Sequence, residues 1–107
     1  ISPNNHANMS QSTNDVIPTS IRVCALMRAE QLIIALENLA DSFDKKGEEF
    51  KDVLKIGRTH LQDAVPITLG LEFKAFASSM PRRSSCIRRS CELLHTMNMG
   101  ATAVAQV

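Results

Sequence analysis

The sequence predicts an all-α protein, a bundle of long helices. Three observations carry that expectation. Only four glycines occur in 107 residues, and glycine is, after proline, the residue that most weakens a helix interior. From Leu69 onward, apolar side chains recur at Phe73, Phe76, Met80, Ile87, Cys91 and Leu94, with Ser84 in the middle slot. The mean step is about 3.5 residues, the seam spacing of long packed helices. No stretch shows a convincing period-two alternation of the kind a half-buried strand requires.

Taken in order, residues 1–14 are polar, with Pro3 and four asparagines, and read as a loop. A long helix is expected over about 15–43, where no glycine occurs and the only proline is Pro18. A proline in a first turn lacks an N–H that would be unpaired there anyway, and Thr13, Asn14 or Asp15 can cap the start. This segment is apolar all round: Ile21, Val23, Cys24, Ala25, Leu26 and Met27, then Leu32, Ile33, Ile34, Ala35 and Leu36. Such a helix is expected to be buried on every side. A chain of this length can hardly surround it, which points to an oligomer or to a piece of something larger. Residues 41–55 are charged and read as a solvated helix end, a break near Gly47 and a short helix over about 46–55. Residues 56–68, with Gly57, Pro66 and many hydrogen-bonding side chains, read as an ordered loop. The second long helix is expected over about 69–98, stopping near Gly100, a natural C-terminal glycine. Pro81 lies inside it and predicts a kink, or two helices meeting end to end.

Composition narrows the function classes. Aromatics amount to four Phe, with no Tyr or Trp, so an aliphatic core is expected. Net charge is +1, which provides no global field for nucleic acid or an anionic membrane. Arg82, Arg83, Arg88 and Arg89 crowd together but lack interleaved aromatics, and read as a solvated or subunit-facing surface. Three cysteines fit no disulfide framework; free thiols in a reducing cytoplasm are the simple reading. Cys86 and Cys91 lie on different helix faces and make poor joint metal ligands. The start lacks the apolar core of a signal peptide. Arg28, Glu30 and Glu37 interrupt the best candidate for a membrane span.

Two donor-rich clusters carry the chemistry. Ser10, Ser12, Thr13 and Asn14 lie where the first long helix begins. There, unpaired N–H groups and the helix dipole attract carboxylate or phosphate, although ordinary capping uses the same residue types. Arg58, Thr59, His60 and Gln62 form the second cluster, in the stretch between the helices. Histidine can serve as acid, base or charged donor near neutral pH. His95, near a helix end, reads as structural, and His6 is open to either role. No phosphate-binding glycine loop, zinc spacing or serine-nucleophile elbow is present. The residues by themselves support a helical, oligomeric protein that binds a small anion.

The motifs extend this. Ser12-Thr13-Asn14-Asp15 precedes a long helix, Gly57-Arg-Thr-His-Leu-Gln-Asp-Ala64 and Thr68-Leu-Gly70 follow, and Gly100-Ala-Thr-Ala-Val104 comes last. Together they resemble the fumarase/aspartase superfamily, and the resemblance runs from Pro3 to Val104. It implies a homotetramer with a core of long helices, each active site drawing on three subunits. It also implies addition or removal of a small group across the carbon–carbon bond of a fumaryl unit. By resemblance, Ser12, Thr13, Asn14, Thr59 and His60 bind the substrate carboxylates. His60 also acts as a proton relay or stabilises the developing oxyanion. A proton beside one carboxylate is abstracted, an aci-carboxylate forms, and amine or water leaves. No metal or organic cofactor is implied for substrate binding.

The wording Asn4-Asn5-His6, Met9-Ser-Gln-Ser-Thr13 and Met97-Asn-Met-Gly-Ala-Thr102 sides with members that release ammonia from L-aspartate to give fumarate. Members that hydrate fumarate are the runner-up, and a non-catalytic helical assembly module is the third reading. Two departures stand out. Leu71 replaces the Gln of the family pattern Thr-Leu-Gly-Gln-Glu-Phe. Ala105-Gln106-Val107 replaces the usual Gly-Thr-Gly-Leu-Asn. The family's flexible serine loop, which supplies the base, and its Gly-Thr-Ser region have no counterpart here. The expectation is therefore a piece of the central helical domain, inactive alone.

Overall fold

In the computed structural model, which describes residues 1–104, helix α1 runs through 37 residues, Thr13–Glu49. A hairpin follows, β1 Leu54–Thr59 and β2 Gln62–Thr68, and then helix α2, Leu69–Leu93. A five-residue π-turn, Pro3–Ala7, precedes α1. The two long helices agree with the all-α expectation, but three boundaries differ. α1 does not break at Gly47, so the separate helix over 46–55 is absent. The stretch read as a loop over 56–68 is the hairpin. α2 ends at Leu93 rather than near 98. Pro18 is the sixth helical residue, past the first turn, and α2 runs on through Pro81. The substituted wording at Ala105-Gln106-Val107 lies outside the described residues.

From Thr19 onward, the residues of α1 that are not exposed are Thr19, Arg22, Leu26, Ala29, Ile33, Leu36, Ala40, Phe43 and Gly47. Their steps alternate 3 and 4, a 3.5-residue seam. In α2 the residues that are not exposed include Gly70, Phe73, Ala77, Met80, Ser84, Ile87 and Cys91, which keep the same spacing, with Leu69, Glu72 and Ser79 beside them. Apolar residues off the seam stay in the open: Ile21 is 64% exposed and Met27 73%. The all-round burial expected of α1 is thus not met within these residues.

Two units are distinguished along the chain, Ile1–Glu30 with the chain from Arg88 onward, and Gln31–Ile87. In the first, the turns after α2 are fastened to one face of α1. Asp15 accepts the Gly100 N–H at 3.2 Å, Thr19 reaches Met99 Sδ at 3.8 Å, and Arg22 donates to the Thr96 carbonyl. Arg88 forks onto Glu30 at 2.9 and 3.3 Å.

In the second unit, all four phenylalanines cluster. Phe43–Phe73 centroids lie 5.8 Å apart, Phe43–Phe76 5.6 Å and Phe50–Phe73 5.8 Å. The expected aliphatic core is thus partly aromatic, with Ile33 the one fully buried large side chain among the described residues. The end of α1 meets the start of α2 backbone to backbone. The Leu69 N–H donates to the Val53 carbonyl at 2.8 Å and the Gly70 N–H to the Phe50 carbonyl at 2.9 Å. Thr68 Oγ1 caps α2 by accepting the Leu71 N–H at 3.2 Å. Gly47 and Gly70 make this approach possible. A Cβ on Gly70 would stand 2.4 Å from the Gly47 carbonyl oxygen.

Candidate functional site

Ser12 closes the first polar loop and caps α1. Its Oγ accepts from the Asn14 backbone N–H and from Asn14 Nδ2, both at 3.1 Å. Its carbonyl accepts the N–H groups of Asp15 and Val16. Asp15 reciprocates, Oδ1 accepting the Ser12 N–H at 3.0 Å. This is a capping box with aspartate in the third helical position, so the cap is Ser12, not Thr13, Asn14 or Asp15. The backbone N–H groups of Asn14 and Asp15 are therefore engaged inside the helix end. The side-chain donors left to meet an anion are the Ser12 and Thr13 hydroxyls and the second amide hydrogen of Asn14. Thr13 and Asn14 are exposed and Ser12 is half-buried.

The second cluster sits on the hairpin. β1 and β2 pair antiparallel, with Leu54 opposite Thr68 and Thr59 opposite Gln62, and the register shifts between Ile56 and Arg58. Gly57 lies at that bulge, buried, and a Cβ there would come within 3.0 Å of the Val65 carbonyl. Between Thr59 and Gln62 the chain reverses through His60 and Leu61 alone. Their φ values are 49° and 62°, the signature of a type I′ turn, which normally takes Asn-Gly. Histidine visits this region more readily than most residues, whereas a bulky leucine there is an outlier. Thr59 and His60 are exposed, and Leu61 is 98% exposed.

A cleft of about 790 Å³ flanks the hairpin, lined by Lys55, Gly57, Arg58, Thr59, Val65 and Glu72 among others. Its charges are largely paired. Lys55 bonds Glu72 at 2.6 Å, tying the root of the hairpin to α2, and Arg58 meets Asp63 at 3.6 Å across the strands.

Ser12, Thr13 and Asn14 belong to the first unit, and Thr59 and His60 to the second. The non-glycine residues with positive φ among the described residues are Ser10, His60 and Leu61, and all three fall in the two polar stretches singled out by sequence. His6 is engaged locally, its Nδ1 accepting the Ser2 N–H at 2.8 Å. Among the described residues no group of three His, Cys, Asp or Glu side chains could hold a metal ion, and no helix is long and apolar enough to cross a membrane. Sequence reasoning missed the buried Asp15, the bulge at Gly57 and the strained Leu61. The Ser-x-x-Asp spacing of a capping box was the available signal for the first.

Comparison with known proteins agrees with this picture. Residues 1–107 match a family model described as Lyase. An aspartate ammonia-lyase of Bacillus subtilis is 51% identical over 104 residues, 97% of this chain and 22% of the relative. A crystal structure described as fumarate lyase:delta crystallin from Brucella melitensis is 49% identical, with a TM-score of 0.71, over 92% of this chain and 23% of that one. A class II fumarase from Schistosoma mansoni is 36% identical, with a TM-score of 0.71, over 98% of this chain and 22% of that one. The chain thus spans about a fifth of the length of the proteins it matches. Matched throughout by that family model, it belongs to the lyase family, within the fumarase/aspartase superfamily that its motifs resemble.

Proposed function

We propose that residues 1–107 form part of the central helical domain of an aspartate ammonia-lyase, which converts L-aspartate to fumarate and ammonia by β-elimination. The observation that carries the reading is the coincidence of backbone strain with donor chemistry. Ser10, His60 and Leu61 hold positive φ in the two loops that carry Ser12, Thr13, Asn14, Thr59 and His60. Such strain persists where surroundings over-determine it, and it clusters at ligand-binding sites.

In this reading Ser12, Thr13 and Asn14 hold a substrate carboxylate through hydroxyl and amide donors, and Thr59 and His60 bind substrate as well. Removal of the proton beside a carboxylate places two negative charges on that group. Preorganised donors favour this charge over the ground state, and His60 is the residue to supply one, as oxyanion stabiliser or proton relay. The base is supplied by another part of the lyase, so residues 1–107 alone release no fumarate. A cytoplasmic homotetramer fits the free thiols and the exposed apolar side chains of α1, such as Ile21, Met27, Leu32 and Ile34.

The likeness to the Schistosoma mansoni fumarase supports a second reading, hydration of fumarate. The lyase that carries this segment is tested by following fumarate absorbance with L-aspartate and, separately, with malate. Fumarate from aspartate alone is the expected result. Fumarate from malate alone would assign a hydratase. A folded protein inert to both would leave a helical assembly module.

A further inference from the structure

We propose that Asp15 is a positioning residue for the dicarboxylate-binding donors, holding the Ser12 loop and the Gly100 turn on one buried carboxylate. The inference rests on the dicarboxylate reading of Ser12, Thr13 and Asn14. Asp15 is only 4% exposed, the most buried charged side chain among the described residues. Neither of its oxygens meets a cation in a described contact; each takes a backbone N–H. Oδ1 accepts from Ser12 at 3.0 Å and Oδ2 from Gly100 at 3.2 Å. A buried carboxylate without hydrogen bonds would be strongly unfavourable, so the two N–H groups and the side chain fix one another.

The consequence for the donors follows link by link. The bond from the Ser12 N–H sets the backbone of Ser12, and its Oγ then accepts both the backbone and the side-chain N–H of Asn14 at 3.1 Å. Asn14 Nδ2 is thereby aimed, with one hydrogen fixed on Ser12 and the other free. On the far side of Asp15, Gly100 has a φ of 83°, a conformation glycine adopts without steric cost. The Ala101 N–H closes the same turn onto the Asn98 carbonyl at 3.0 Å. Thr19 and Arg22, one and two turns further along the same face of α1, fasten Met99 and Thr96. Asp15 is the one of these three anchors that also grips the donor loop, so the donor loop and the 96–101 turns share a single support.

Asp15→Asn tests this in the full lyase. A carboxamide keeps one acceptor oxygen and turns an N–H₂ toward the other donor, so one of the two bonds is lost. KM for aspartate and the inhibition constant for succinate are expected to rise about tenfold or more, with kcat changing far less, as when binding common to ground and transition states is removed. Hydrogen exchange at the Ser12 or Gly100 amide should accelerate. Ile33→Ala, a core truncation in the other unit, serves as a stability control and should lower the melting temperature with KM unchanged. If Asp15→Asn does not fold, Asp15→Glu carries the test: it keeps the charge but displaces the oxygens by one methylene, and KM should rise in the same sense. A lower melting temperature with unchanged KM and succinate inhibition, in whichever variant folds, would overturn the proposal. So would unchanged exchange at both amides. An unsubstituted protein that neither turns over aspartate nor binds succinate overturns the dicarboxylate reading and this inference with it. An active protein with indifferent variants overturns this inference alone.

Discussion

Replacing Gly70 by alanine should destabilise the chain, although alanine is the better helix former. The gain from propensity is about 1 kcal/mol. Against it, the new Cβ would stand 2.4 Å from the Gly47 carbonyl oxygen, 2.6 Å from Lys51 Cα and 2.7 Å from Lys51 N. Ordinary carbon contacts lie at about 3.5–4.0 Å, so each intrusion is about 1 Å, and all three neighbours are backbone. Overpacking of this kind costs about 1–3 kcal/mol. Relief requires α2 to move away from the end of α1, which stretches the Gly70 N–H bond to the Phe50 carbonyl, now 2.9 Å. Losing that bond adds about 1 kcal/mol. The net expectation is a loss of about 2 kcal/mol. Gly47→Ala is the internal comparison. Its Cβ meets Lys74 Cγ at 2.5 Å, a side chain that can swing aside, and the Gly70 carbonyl only at 3.2 Å. It should cost less than Gly70→Ala. Urea unfolding at one protein concentration, read by far-ultraviolet circular dichroism, gives both values. A Gly70→Ala variant as stable as the parent, or the reverse order of the two, would refute the backbone-contact argument.

Three further outcomes are expected. Leu61→Gly should raise the melting temperature, because relief of a bulky residue at φ 62° is worth about 1 kcal/mol; a lower melting temperature would show that the turn is not strained. Ser84→Ala should stabilise by up to about 1 kcal/mol, since the Ser84 hydroxyl is buried without a hydrogen-bond partner; a clear loss in urea unfolding would reveal a partner for it. Hydrogen bonds from Lys51 and then Lys74 hold the exposed Glu48 carboxyl down at about 2. Its folded value lies below its unfolded one, so its contribution is present above about pH 4.5 and is lost as pH falls toward 2. An acid titration should therefore show a shallower stability decline for Glu48→Gln across that window, and identical slopes would count against the pairing.

The helices were legible and the hairpin was not, for reasons that lie in particular residues. The seam of α2 is marked by large apolar side chains, and the structure shifts it from Leu69 to Gly70 and from Phe76 to Ala77 and ends the helix before Leu94. The seam of α1 was hidden because it runs through Thr19, Arg22, Ala29 and Gly47, while Ile21, Met27 and Ile34 lie off it. Gly47 read as a helix breaker because sequence displays its missing side chain but not the Gly70 backbone that needs the space. The hairpin carries Gly57 and Pro66 inside its strands and turns on His60-Leu61, which conceals both alternation and turn signal. At the candidate site the donor residues were legible by type and motif. Asp15 was not, because its importance lies in a bond to Gly100, 85 residues away.

The most direct test of the account is His60→Ala in the lyase that carries this segment, assayed for fumarate release from L-aspartate alongside its melting temperature. His60 sits exposed at the hairpin tip, so its truncation opens no buried space. Removal of one donor to a developing oxyanion lowers turnover by about 10²–10³. The account predicts a fall of that order with a melting temperature within a few degrees of the parent. An unchanged rate with a large drop in melting temperature would contradict it and make His60 a structural residue.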